Sequence, residues 1–486
     1  MEPKAEPIPP ERPGTDSDEN SASTPRAEVA RLTIALVAAA ISLGFGVGTF
    51  LAMLPGLAAL VGLNAGQLIW LSAAQLLCTV VAVPIVGRLG DMFGHRRMMF
   101  LAVAVTGLGG LLLATGTSFA VLLIGRVMQG LIGSIFPLGA ALVRDRLRTS
   151  RGNTVIAAFT ASMFLGSVAG LLTAAGLSDA ENGTRLAFWI AFGVFAAAAA
   201  ITLGAPESVV RAKRSMDVRG AVVLAVGLGG IVLGLSEVER SGWGDARTAG
   251  YLVIGLLILV GWVRLQASTR HPLIDVRGMA NRRVLPGAAI ALAYGVAQYG
   301  ATTATVTFMA SPADKLGYGL SMSIREIALL LAPCAVVAFL SAVCAARLAA
   351  LAGARAVLVG GGALITLGFI SMIAFHDSTT SFTVALVIQF AGQGIVQAMW
   401  PTVLSAAAEA TKRGAVTSVG QSLETLGGGL SNAIFAAIFG TLVIAGTDVP
   451  TESAYEWVWI TCAGITALII PLAYVLRTMR RSATAE

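Results

Sequence analysis

The sequence predicts an all-α membrane protein: fourteen membrane-crossing helices, set out as two six-helix bundles with two further helices inserted between them. Three observations carry this. The composition is too apolar for a water-facing surface, apolar runs about twenty residues long succeed one another, and the second half repeats motifs of the first.

Apolar residues make up 56% of the 486-residue chain and charged residues 12%, about half the charged share usual in a soluble domain. A soluble fold of this size needs a largely polar exterior, so the lipid bilayer is the natural solvent here. The net charge of +7 does not point to nucleic acid, because the bases are dispersed among short loops between apolar runs. Cys78, Cys334, Cys344 and Cys462 lie in apolar runs without paired spacing and read as small hydrophobes. His95, His271 and His376 are widely scattered, so neither a metal site nor a cofactor is expected. Residues 1–30 hold six of the seventeen prolines and seven acids against three bases. That composition is too polar to fold alone, and the segment reads as a disordered cytoplasmic tail rather than a signal peptide.

A hydrocarbon core about 30 Å thick needs roughly twenty apolar residues per helix. Runs that meet this stand at about 32–54, 65–86, 98–117, 119–143, 153–177, 186–205 and 220–236. Seven more follow at about 248–263, 285–309, 327–346, 356–375, 380–404, 414–446 and 457–476. The 56 glycines suit helices packed closely in lipid, where small residues let backbones approach. Basic residues then set the orientation. With both termini cytoplasmic, 27 of the 33 Lys and Arg fall inside. Outside lie Arg185, Arg240, Arg247, Lys315 and Arg325, and Arg126 alone sits within a span. Such an excess marks the cytoplasmic side, and a missed span would scramble it downstream.

The loop after the second run reads Gly87-Arg88-Leu89-Gly90-Asp91-Met92-Phe93-Gly94-His95-Arg96-Arg97. A faded copy, Ala346-Arg347-Leu348-Ala349-Ala350-Leu351-Ala352-Gly353-Ala354-Arg355, appears about 259 residues later. Gln129-Gly130 and Pro137 correspond to Gln393-Gly394 and Pro401, and Thr149-Ser150-Arg151-Gly152 to Thr411-Lys412-Arg413-Gly414. Duplication is the expected origin. The expected units are a tail at 1–30, a six-helix bundle at 31–205 and two inserted helices with their linkers at 206–284. A second six-helix bundle at 285–477 and a cytoplasmic tail at 478–486 complete the chain. Parallel halves related by an axis along the membrane normal are a known plan, with a solute held between them near the midplane.

Gly87 to Arg97 resembles the signature loop of the major facilitator superfamily, Gly-x-Leu-x-Asp-x-x-Gly-Arg-Arg, with His95 in place of one base. Arg126, Gln129 and Gly130 resemble that superfamily's fourth-helix motif. The two inserted helices, Gly242-Trp243-Gly244 and Pro272-Leu273-Ile274-Asp275-Val276-Arg277 are similar to the fourteen-span drug:proton antiporter family. The resemblance runs from about residue 31 to 477 and implies a major facilitator fold and proton-coupled export. Two positions depart from it. Gly170 is followed by Leu171 where exporters have Gly-Pro, and Gly46 stands where many carry an acid.

The resemblance assigns Gly87, Arg88, Asp91, Gly94, Arg96 and Arg97 to a conformational latch, with Asp91 facing span thirteen. Read without it, the loop is a basic segment that fixes topology. Arg126 lies about seven residues, roughly 10 Å, into its span. An arginine at that depth faces protein or a wet cavity, as a structural hub or, by the resemblance, in proton coupling. Glu424 lies ten residues, about 15 Å, into span thirteen. Burial disfavours its charged form, which suits it either to carrying a proton or to staying protonated. Gln389, Gln393 and Gln397 recur at i, i+4 and i+8 with Trp400 near the same face, and Gln129, Tyr294 and Gln298 lie in cavity-lining spans by the resemblance. Aromatic and amide groups with few charges suit an amphipathic solute, or else hydrogen bonding between helices.

The chain is therefore expected to export a small amphipathic compound, a drug or the cell's own metabolite, by proton antiport from the cell (inner) membrane, as a monomer. An uncoupled facilitator or importer is the second reading, and a non-transporting sensor or scaffold the third. No soluble segment is long enough for a catalytic site, so it is not expected to be an enzyme. Gly360-Gly361-Gly362 lies inside a span without the Gly-Lys-Ser/Thr that would complete a phosphate loop.

Overall fold

The computed structural model describes residues 26–147, 149–208, 217–242, 244–269, 276–279, 284–407, 413–447 and 449–475. Most of both expected tails, Trp243, the Pro272–Asp275 stretch and Thr411–Lys412 lie outside the described residues. Helix is the dominant structure. The first half comprises α1 (Arg26–Ala52), α2 (Ala65–Phe93), α3 (His95–Thr115), α4 (Phe119–Gln129), α5 (Ile135–Arg146), α6 (Thr149–Leu177) and α7 (Gly183–Leu203). A hairpin of α8 (Val218–Ser241) and α9 (Ala246–Ser268) follows. Then come α10 (Leu285–Gly295), α11 (Ala301–Ala310), α12 (Ile324–Ala352), α13 (Ala354–Ala374), α14 (Thr379–Ala407), α15 (Arg413–Thr441), α16 (Glu452–Ala467) and α17 (Ile469–Val475). Among the described residues, eleven helices are long and apolar enough to cross a membrane.

The repeat read from the motifs recurs in the helices. α2 and α12 both run 29 residues, α3 and α13 both 21, α6 and α15 both 29. Both α2 and α12 open on a capping box, Asn64 with Gln67 and Ser323 with Glu326, each of which satisfies two otherwise orphaned backbone donors. Both end on a left-handed turn at glycine, Gly94 with φ 106° and Gly353 with φ 87°. A side chain is disfavoured there, which explains why glycine survives in the faded copy while Asp91 is matched by Ala350.

Glycines decide which helices touch. A Cβ on Gly44 would run into Met163 O, on Gly48 into Ser167 O, on Gly166 into Ile41 O and on Gly170 into Phe45 O. α1 and α6 therefore meet backbone to backbone, held by dispersion contacts that small residues at four-residue spacing allow. α10 and α15 repeat the arrangement, with Gly295 against the backbone of Glu424 and Gly427 against Leu292 O. Between halves, α2 packs along α15 and α6 along α12. The inserted hairpin closes at Gly230 and Gly255 and is pinned at one end by two hydrogen bonds. Trp262 Nε1 donates to Gly220 O (2.8 Å) and Gln266 Nε2 to Asp217 Oδ2 (2.7 Å). α8 leans on α15 and α2, whereas α9 stays largely exposed.

Candidate functional site: a cavity between the two halves

A cavity of about 250 Å³ opens between the halves, walled by α1, α2, α4 and α6 on one side and by α10, α11, α12 and α14 on the other. Two interruptions of regular helix shape it. α4 passes through a 3-10 turn at Gly130–Ser134 before α5, because Gly130 and Gly133 lie hard against Cys78 and Thr79 of α2. Thr79 Oγ1 donates to Gly130 O at 2.7 Å, filling a carbonyl that the tighter turn exposes. In the other half, a π turn at Val296–Gly300 joins α10 to α11 and turns Gln298 and Tyr299 towards the cavity. Gln393 Nε2 donates to Ala297 O (3.3 Å) and Asn432 Nδ2 to Tyr299 O (2.9 Å), so side chains again stabilise the widened turn. Such π turns recur at functional sites.

Arg126 is the one charged side chain among the described lining residues. Its exposure is 5%. Nε donates to Leu71 O at 3.2 Å, Nη1 to Gln129 Oε1 at 2.6 Å, and the guanidinium stands 3.6 Å over the Phe50 ring. Gln129, Tyr294, Gln298, Gln393 and Gln397 line the same space, as do Ser72, Gln75, Tyr299 and Thr303. Tyr294 Oη donates to Gln298 Oε1 (2.9 Å), and Ser72 Oγ and Thr303 Oγ1 meet across the halves at 2.8 Å. Phe164, Phe195 and Phe390 complete the walls. At Gly46, where the resemblance leads one to expect an acid, a Cβ would stand 2.8 Å from the Phe195 ring, so an apolar side chain already fills the slot.

Glu424 is fully buried on α15. Tyr299 Oη donates to its Oε1 (3.4 Å) and Gln421 Nε2 to its Oε2 (3.0 Å). It is thus one side chain removed from the cavity, with Tyr299 between. Two expected lining residues lie elsewhere. Gln389 rests against Gly368 of α13, and Trp400 is buried with its ring over Gly420. Four residues advance a helix by 400°, so a stripe at i, i+4 and i+8 drifts by 80° from end to end, and Gln389 turns out of the cavity that Gln397 enters. Phe50, Ser72 and Thr303 were not singled out from sequence. Apolar and hydroxyl residues are too common in such helices to flag.

The Gly87–Arg97 loop also differs in detail from expectation. Asp91 Oδ1 pairs with His95 Nε2 at 3.2 Å, and His95 Nδ1 lies 3.5 Å from Asp145 Oδ2. The arginines turn to another acid. Glu207 Oε1 accepts from Arg96 N (2.9 Å), and its Oε2 stands 3.4 Å from Arg96 Nε and 3.9 Å from Arg97 Nε. Arg146 adds a 2.6 Å bond to Glu28 and two to Glu207 O. Gly94 faces the Glu207 carboxyl, while Gly87 borders open space. The loop therefore ties α2, α3, α5 and the end of α7 together, Arg146 of α5 adds α1, and His95, standing where the motif has a base, is the partner of Asp91.

A second cavity, about 880 Å³, lies between α2, α4, α8 and α15. It is larger, but no charged side chain is among its described lining residues, whereas the space between the halves gathers a cation, amides and phenols.

The family model described as Major Facilitator Superfamily matches residues 36–432 and 290–486. The tetracenomycin C resistance and export protein of Streptomyces glaucescens is 29% identical over 43% of this chain and 39% of its own length. The MFS-type transporter EfpA of Mycobacterium tuberculosis is 26% identical over 79% of this chain and 72% of its own. The chain thus spans about two fifths of the first of these relatives and most of the second. Among solved structures, a mutant of the nucleoside transporter NupG superposes with a TM-score of 0.65 at 10% identity, covering 92% of this chain and all of that one. With this fold and these relatives, the chain belongs to the Major Facilitator Superfamily and is a transporter, not an enzyme.

Proposed function

We propose that this protein is a secondary exporter of a small amphipathic compound, driven by the proton gradient as in the fourteen-span drug:proton antiporters. One observation carries the reading: an aromatic and amide-lined cavity between the halves, with Glu424 behind Tyr299 as a carboxyl that can gain and lose a proton without touching the solute. At about 250 Å³ the space falls just under the ~300–1,000 Å³ of open ligand pockets. A drug-sized solute therefore fits only as the halves move apart, as alternating access requires. Relatives described as the tetracenomycin C export protein and a probable actinorhodin transporter of Streptomyces coelicolor support export. Inside-out vesicles with an acidified lumen test it. Aromatic amphiphiles should accumulate with the gradient and leak back when a protonophore collapses it. Uptake indifferent to the gradient would select the second reading, an uncoupled facilitator or importer. The filled slot at Gly46 and a relative described as a uridine/deoxyuridine transporter favour that reading.

The fourteen-span topology belongs to the same proposal. The eleven apolar helices, together with α6, α15 and the α10–α11 pair, make fourteen, with both termini cytoplasmic and the chain a monomer in the cell membrane. A reporter active only outside the cytoplasm, fused after Glu486, should give no signal. A strong signal there means an odd number of crossings.

A further inference from the structure

From the charge of the cavity we infer the solute's chemical class: an aromatic acid, bound through its carboxylate or acidic phenol by Arg126. This rests on the transport reading above and narrows it. A guanidinium carries five N–H donors and keeps its charge at physiological pH. Here one donor bonds Leu71 O and one bonds Gln129 Oε1. Among the described residues no carboxylate pairs with it. The remaining donors and the full positive charge are left to whatever enters the space.

A lone cation in a low-dielectric cavity is costly unless an anion joins it, and that cost becomes affinity when a carboxylate arrives, which matches the guanidinium fork in a bidentate pair. The same field repels ammonium solutes. Phe50 fixes the plane of the guanidinium from below at 3.6 Å, so the fork is held rather than mobile. Phe164, Phe195 and Phe390 line the space and give an aromatic body aromatic neighbours. Gln397 Oε1, buried without a protein partner, can accept from a hydroxyl on the solute. Glu424 stands outside the lining behind Tyr299, so it does not cancel the charge at the cavity wall.

The test is equilibrium dialysis of the full chain in nanodiscs against three probes of one shape: 2-naphthoate, 2-naphthamide and 2-naphthylmethylammonium. The acid should bind at least tenfold more tightly than the amide, and the ammonium least. Arg126→Gln should weaken the acid by ten- to a hundredfold, level it with the amide and weaken the amide far less than the acid. Arg126→Lys, which keeps the charge but loses the fork, should retain part of the preference and serves if the glutamine variant does not fold. In right-side-out vesicles of the native protein, an imposed inside-negative potential should speed export of the acid more than that of the amide, because exchanging an anion for one proton moves two charges and exchanging a neutral solute moves one. Equal binding of acid and amide, preference for the ammonium, no binding of the acid, or equal loss of all three in Arg126→Gln each overturns the assignment. Gradient-driven transport of the amide or ammonium in those cases would leave the exporter reading standing, whereas transport of none would remove both.

Discussion

Glu424→Gln is expected to abolish gradient-driven accumulation and to spare exchange of the solute across the membrane. Glutamine keeps the size of the side chain, and its carbonyl can still accept from Tyr299, now 3.4 Å from Oε1. What disappears is the proton that can come and go. Each ~1.4 kcal/mol is a factor of ten in an equilibrium, so one coupled proton sustains about tenfold accumulation per unit of pH gradient. Under a one-unit gradient the native ratio of about ten should collapse to about one in the variant, while counterflow of labelled solute at equal pH continues. The two measurements belong in the same vesicle preparation. Loss of both shows a structural acid, which the hydrogen bonds its carboxylate accepts from Tyr299 and Gln421 would explain. Retention of both moves the coupling to Arg126 or removes it. Tyr299→Phe supplies a control, since it removes the hydroxyl between Glu424 and the cavity but leaves the carboxyl in place.

The helices were legible because a bilayer imposes a run of about twenty apolar residues on each crossing, and the repeated loop motif foreshadowed the matched lengths of α2 with α12 and of α3 with α13. The turns at Gly94 and Gly353 were legible as glycines at matching positions. Orientation within each helix was not. A membrane helix is apolar towards lipid and towards its neighbours alike, so no polar face marks the outside as it does in water. Gln389 and Gln397 look equivalent in sequence and end on different neighbours. Trp70 and Gln75, both in α2, line different cavities. The breaks in α4 and between α10 and α11 also escaped notice. They depend on which glycine meets which neighbouring backbone, and that is decided only after the helices assemble. The pairing of Asp91 with His95 had the same cause. Three arginines stand near it in sequence, but Glu207, 111 residues beyond Arg96, takes two of them.

Asp91→Asn should cut transport by five- to a hundredfold while lowering thermal stability only slightly. The Asp91 side chain is 39% exposed, and pairs open to water contribute about 1 kcal/mol or less. Asparagine keeps an oxygen for His95, so folding loses little. Transport is more sensitive, because a contact made in one state alone biases the equilibrium between states, and couplings of ~1–3 kcal/mol correspond to about five- to 150-fold. Asp145→Asn is the comparison that separates the two roles, since Asp145 faces the same imidazole from its other nitrogen at 3.5 Å. If the charge at position 91 acts as a latch between the halves, Asp91→Asn should lose transport with normal expression and melting temperature, and Asp145→Asn should not. If both variants lose transport together, the carboxylates serve only to hold His95 between α2, α3 and α5. Near-native transport by Asp91→Asn would leave the Gly87–Arg97 loop a topological signal and a local brace.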